Sequence, residues 1–211
     1  MTRLEIKVGK KTESYHLPVS WDEVNIKQYQ DVMILVEDDK LSDISLMVKT
    51  IAALTGVEER QLIKAPVSHL REVYATLGLL TANMPNKDLT RVVEIEGVEY
   101  GFIPDMKNLT FGEFVDLDTW LQEGYKNLVE ILTILYRPVV KRLEGRYIIE
   151  EYDIDSASTR AKLFSKSLSI DTAYGALVFF YDIGNKHRET MLCYLEKQQK
   201  KRSSMVQIER S

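Results

Sequence analysis

The chain has 211 residues, of which 45% are hydrophobic and 28% charged, and this composition excludes collagen-like, disordered and simple coiled-coil classes in favour of a chain that buries a core. Lys and Arg number 28 against 32 Asp and Glu, a formal charge of -4, which disfavours a protein whose whole surface neutralises nucleic-acid phosphates.

In chain order, Leu4 to Leu17 alternates in part around Gly9-Lys10-Lys11 and predicts a short β-hairpin, closed by Pro18. From Asn25 the pattern turns helical in IKQYQDVMILV. A second helix is predicted in SDISLMVKTIAALTG, where Ile44, Met47, Val48, Ile51 and Leu54 recur at helical spacing and Gly56 provides the stop. Thr55 and Glu58 have the spacing of a capping box for a short helix to about Ile63, and Ser68 is a candidate cap for the helix in PVSHLREVYATLGLL. TANMPNKD then gathers small, polar and Pro residues, which places a linker at 83–90.

The hairpin signal returns at Arg91 to Ile103, around Glu96-Gly97, with Pro104 after it. Thr110 begins a helix in FGEFVDLDTWLQ. Leu128, Ile131, Leu132, Leu135 and Tyr136 mark another, which Pro138 is expected to stop. A third hairpin is predicted in VVKRLEGRYIIEEY, followed by helices from about Ser156 to Lys166 and from Ser169 to about Gln198. GALVFFY, apolar nearly all round, is expected at the centre of the core.

The two halves echo each other. Val24-Asn-Ile-Lys-Gln-Tyr-Gln-Asp-Val32 aligns with Leu109-Thr-Phe-Gly-Glu-Phe-Val-Asp-Leu117 at every constrained position. Physically the shared pattern is a helix start: Asn25 and Thr110 are N-caps, Gln28 and Glu113 complete capping boxes, and Val24 and Leu109 are staple residues for Tyr29 and Phe114. Each copy follows a hairpin that ends in an apolar-Pro pair, and each half ends in a helix with a candidate Ser cap. The fold class predicted is α+β, predominantly α-helical, built as two pseudo-repeats that each set a short β-hairpin before helices. The repeats are placed at 1–82 and 91–202, with a flexible tail at 203–211.

Chemistry-bearing motifs are scarce. His16, His69 and His187 are scattered, and no HExxH, GxSxG, GxGxxG or Walker pattern occurs. The run Glu150 to Ser158 begins like a calcium loop but has Ser158 where the loop needs Gly and Phe164 where it needs Glu, so it is read as a solvated turn. Asp116, Asp118 and Glu113 are explained by the helix dipole, which favours carboxylates in a first turn. No catalytic residue, cofactor or metal site is assigned, and the expectation is that the protein is not an enzyme. Lys186, Arg188, Lys197, Lys200, Lys201 and Arg202 face only Glu189 and Glu196 over the same stretch. They mark a helix end suited to an acidic partner surface or, as the alternative function, to nucleic acid.

The lone Cys193 allows no internal disulfide, which fits a reducing compartment. The first residues hold no apolar signal segment, and ILTILY and GALVFFY fall far short of the roughly 20 residues that span a bilayer. A soluble cytoplasmic protein without a membrane partner is expected.

These segments resemble small morphogenesis proteins of tailed bacteriophages. The hairpin, the LP pair, VNIKQYQD and ISLMVKTIAALTG are laid out as in baseplate-hub and tail-assembly proteins. LTFGEFVDLDTWL, NLVEILTILYRPVV and RYIIEEYD, together about a quarter of the chain, are similar to uncharacterised structural or assembly proteins of phages infecting Bacteroidetes, crAss-like phages among them. The resemblance implies a non-catalytic virion assembly protein, either a tail or baseplate assembly chaperone or a minor virion component. Its implied partners are phage tail or baseplate proteins, and its implied location is the cytoplasm of the bacterial host or the virion.

Overall fold

The computed structural model describes residues 2–8, 11–106 and 109–183. The chain divides into two compact units, 1–176 and 177–211. The architecture is α+β and predominantly helical, and in each half a hairpin precedes helices.

In the first half, strands β1 (Thr2–Val8) and β2 (Lys11–Leu17) pair antiparallel in register Thr2↔Leu17 to Val8↔Lys11, burying Leu4, Ile6 and Leu17 on one face. A 3-10 turn, Trp21–Glu23, leads to α1 (Ile26–Val36). Helices α2 (Asp43–Thr55), α3 (Glu59–Leu62) and α4 (Val67–Thr81) follow. On α2 the predicted stripe is buried at Met47, Val48, Ile51 and Leu54, whereas Ile44 in the first turn is exposed. Gly56 ends α2 with φ 73, a left-handed value that glycine adopts without a Cβ penalty.

Two predicted caps in this half are corrected. Thr55 belongs to the last turn of α2, where its hydroxyl donates to the Ile51 carbonyl at 2.6 Å, and α3 starts after Glu58 without a side-chain cap. Ser68 lies inside α4, which begins at Val67 directly after Pro66. Pro66 takes the N-cap position with φ -58, and no side chain caps the first turn; Ser68, already within that turn, is past the position from which a cap acts.

In the second half, β3 (Val92–Ile95) and β4 (Val98–Phe102) turn at Glu96 (φ 51) and Gly97 (φ 79). Two successive positive φ values make the tight turn that suits the twist of a hairpin. Helix α5 (Phe111–Leu121) and a 3-10 turn, Gly124–Asn127, lead into α6 (Leu128–Leu135). Pro138 does not end α6. The helix stops at Leu135 and the chain passes straight into β5 (Tyr136–Leu143), where Pro138 lies opposite Tyr100 and its carbonyl accepts from the Glu150 N–H. β6 (Arg146–Ile149) then pairs with β5, so the second and third hairpins fuse into one antiparallel sheet of order β3-β4-β5-β6. Helix α7 (Ile154–Ser167) closes over it, capped by Asp153.

The centre of the core is α6. Leu128, Val129, Ile131, Leu132, Ile134 and Leu135 are all buried, against α5 on one side and α7 on the other. Around it Tyr100 meets Phe164 and Phe102 meets Tyr136, both edge to face, with ring centroids 5.0 and 5.4 Å apart. GALVFFY is not at that centre: Gly175 and Ala176 are buried, Leu177 to Phe180 are half-buried and Tyr181 is exposed. Residues 170–176 are helical and belong to the first unit, and their approach to the chain at Asp88 leaves no room for a Cβ on Gly175. The described part of the second unit, 177–183, is helical.

The two halves are joined at a helix start. Val24 to Ile26 lies antiparallel to Leu168 to Ile170: the Ile26 N–H donates to the Leu168 carbonyl at 3.1 Å, and the Ile170 N–H to the Val24 carbonyl at 2.9 Å. Asn25 and Ser169, opposite each other in this bridge, both serve as helix caps, with Ser169 accepting from the Thr172 N–H.

Candidate interaction surface

Both capping boxes read from the repeat are present. The Asn25 side chain accepts from the Gln28 N–H at 2.9 Å while Gln28 Oε1 accepts from the Asn25 N–H at 2.9 Å. Thr110 Oγ1 accepts from the Glu113 N–H at 3.2 Å, and Glu113 Oε2 accepts from the Thr110 N–H at 2.6 Å. Beyond capping, the two N3 side chains diverge. Gln28 donates to the Leu54 carbonyl at 2.8 Å and ties α1 to α2. Glu113 turns its other oxygen into the interior and pairs with the Arg137 guanidinium of β5 at 2.7 Å, with both side chains nearly inaccessible to solvent.

Around that pair lies a charged cluster that sequence reasoning missed. Arg160 of α7, itself buried, donates to Glu150 at 3.1 Å, and Tyr152 donates to Asp116 at 2.6 Å. Burial holds the Arg137 pKa below its ordinary value, opposed by Glu113 and reinforced by Arg160. Burial and the Asp116 hydrogen bond push the Tyr152 hydroxyl upward. Each carboxylate in the cluster is committed to a donor on another element, so the arrangement pins α5 to β5 and α7 to the β6 exit. The signal available in the sequence was one arginine in apolar surroundings, Arg137 in ILYRPVV; Arg160 sits in the polar stretch STRAK, and its burial and partner are set by the fold.

The surface offers a different kind of site. The α1 segment VMILV is five apolar residues in a row, yet the only buried residue of α1 is Ile26. Tyr29, Val32, Met33 and Val36, spaced i, i+3, i+4, i+7, form one face of α1 that borders a cavity of about 220 Å³. Helices α1 and α4 both pack on α2. The cavity lies between them: Thr50 and Leu54 of α2 line it from below, and Tyr74, Leu77 and Gly78 of α4 form the opposite side. Trp21 closes one end, held by donation from its indole N–H to the Asn83 carbonyl at 2.7 Å and by an edge contact with Tyr29 at 6.0 Å. No charged residue lines the cavity. Burial raises the Tyr29 hydroxyl pKa.

The second copy of the repeat also exposes apolar surface. Phe111, Phe114 and Val115 of α5 are 83%, 59% and 41% exposed, a stripe at i, i+3, i+4. Tyr29 and Phe114, equivalent in the repeat, differ in cover: Tyr29 is half-buried with edge contacts to Trp21 and Tyr125, whereas Phe114 is exposed. The basic residues Lys186, Arg188, Lys197, Lys200, Lys201 and Arg202 lie outside the described residues. Among the described residues no helix is long and apolar enough to cross a membrane.

No family model, no curated protein and no solved structure matches this chain.

Proposed function

We propose that this is a non-catalytic bacteriophage virion assembly protein, a tail or baseplate assembly chaperone or a minor virion component, that works through protein–protein contacts. The observation that carries the reading is the exposed apolar side chains on the helix that follows each capping box, Ile34 and Val36 on α1 and Phe111, Phe114 and Val115 on α5. Contiguous apolar patches on a folded domain mark places where another macromolecule binds. The resemblance of LTFGEFVDLDTWL, NLVEILTILYRPVV and RYIIEEYD to phage structural and assembly proteins supplies the setting.

The test is affinity capture of the tagged full chain from infected bacterial cells, with and without nuclease treatment, followed by nucleic-acid analysis of the untreated eluate and mass spectrometry of both eluates and of purified virions. Capture of tail or baseplate proteins with the bait absent from virions supports a chaperone; bait in virions supports a structural component. Recovery of nucleic acid without virion proteins overturns the proposal in favour of the basic residues from Lys186 to Arg202.

A further inference from the structure

We infer that the groove between α1 and α4 receives an amphipathic α-helix of a partner protein, which seats one bulky apolar side chain in the cavity and sets basic residues against the acidic α1–α2 connector. This inference rests on the reading of the chain as a protein that works through protein–protein contacts, and assigns that role to one site.

Three observations point to this occupant. The first is spacing: the face Tyr29, Val32, Met33, Val36 follows the helical period, so a helix laid alongside α1 meets an apolar side chain at every turn. Next is size. A cavity of about 220 Å³ lined by apolar and aromatic groups accommodates a single large side chain and is too small for a helix backbone, which fits an anchor residue inserted from a helix lying above.

Third is charge. Immediately beyond Val36 come Glu37, Asp38 and Asp39, with Asp43 at the start of α2 and only Lys40 among them, and all of these are exposed. The C-terminal carbonyls of α1 add partial negative charge at the same end. Lys126 approaches Glu37 at 3.7 Å across solvent, a weak exposed pair that leaves Asp38, Asp39 and Asp43 to set the local potential. A partner helix carrying Lys or Arg at the end beside the connector matches this field, and an acidic one is repelled.

Gly78 provides a clean probe. It lines the cavity, and a Cβ built there meets nothing within 4 Å, so the Gly78→Phe side chain starts from open space at the cavity wall. The experiment uses the full chain with Trp120→Phe, which leaves Trp21 at the cavity as the sole indole reporter. It is titrated with a synthetic 18-residue Leu/Lys amphipathic helical peptide bearing one Phe, and with its Glu-for-Lys counterpart.

The expected result is a saturable change in Trp21 emission with the Lys peptide, at least ten-fold tighter than with the Glu peptide and weakened by salt. Gly78→Phe and Val36→Lys should each weaken it at least ten-fold, Val36 being a rim residue whose change leaves the core alone even if Gly78→Phe perturbs α4. Absence of saturable binding, equal affinity for the two peptides, or binding untouched by both variants overturns the inference. So does a dimer in sedimentation that Gly78→Phe dissociates, since the occupant is then a second copy. Affinity capture separates the two readings: if the wild-type chain and both variants retain the same virion proteins, assembly stands and the groove does not, whereas loss of all capture by wild type removes the functional reading itself.

Discussion

Glu113 performs two tasks with one carboxylate, and removing it should cost far more than removing a cap. Its Oε2 satisfies the Thr110 N–H at the exposed start of α5, where water can substitute, so that share is about 0.5–1 kcal/mol. Its Oε1 neutralises Arg137, whose side chain is only 8% exposed and whose Nε has no protein partner. Stranding a buried cation costs about 3–5 kcal/mol. Glu113→Ala is therefore expected to lose about 4 kcal/mol, roughly 8–16 °C in Tm at about 2–4 °C per kcal/mol for a chain of this size. In urea the midpoint should fall by about 2 M if the slope is about 2 kcal/mol/M. Glu113→Gln separates the two tasks, because a glutamine can still accept from the cap N–H as Gln28 does in the first repeat, but brings no charge to Arg137. It should recover only the smaller share. Pairing Glu113→Gln with Arg137→Met removes both charges and should return stability to within about 1 kcal/mol of wild type, since an apolar replacement of a buried pair is close to neutral. The assay is equilibrium urea unfolding by circular dichroism of the wild type, Glu113→Ala, Glu113→Gln, Arg137→Met and the double variant. A loss below about 1 kcal/mol for Glu113→Ala, or a double variant as unstable as the sum of its singles, would refute the assignment of the energy to Arg137.

Further outcomes follow from other positions. Gly175→Ala places a methyl against the Asp88 carbonyl oxygen, a backbone atom that cannot rotate away, and should cost about 1–3 kcal/mol by thermal unfolding. Gly101→Ala displaces the Tyr147 ring, whose hydroxyl lies 2.7 Å from the Phe102 carbonyl, and should raise the exposure of Tyr147 in solvent-perturbation absorbance. Asp153, whose pKa is held below the ordinary Asp value by the hydrogen bonds from Ser156, stabilises the fold above the unfolded-state value. That contribution is lost as pH falls through the depressed folded value, so Asp153→Asn should flatten the acid limb of the stability curve, and carbon NMR of the Asp153 carboxyl should titrate below about 3.9.

What lies within a few residues was legible in the sequence. Asn25 with Gln28 and Thr110 with Glu113 form their capping boxes because the hydrogen bonds link positions three apart, a geometry fixed by the helix turn. The buried stripe of α2 was likewise set by the 3.6-residue period, whereas α6 is buried nearly all round, with Val129, Thr133 and Ile134 covered beyond its predicted stripe. Local signals failed where two local solutions competed: Thr55 donates back into α2 and does not cap α3, and Pro66 starts α4 without Ser68. Pro138 was misread because its lack of an N–H is compatible with both a helix end and a strand, and only the neighbouring β4 decides which.

The tertiary structure alone decided the partners. That β5 leaves α6 to lie beside β4, that Val24 to Ile26 bridges to Leu168 to Ile170, and that Glu113 finds Arg137 are pairings between segments far apart in the chain. The uncovered face of α1 belongs with them. Val32 to Val36 reads as core by composition, yet Ile34 and Val36 are exposed and Val32, Met33 and Leu35 only half-buried, because α1 and α4 both pack on α2 and leave a cavity between them. The sequence by itself determined where helices and hairpins start and what each would bury, because hydrogen-bond geometry and side-chain periodicity act over single turns. Which faces met, and which stayed open, depended on how those elements jointly bury the most apolar area, a property of the whole packing.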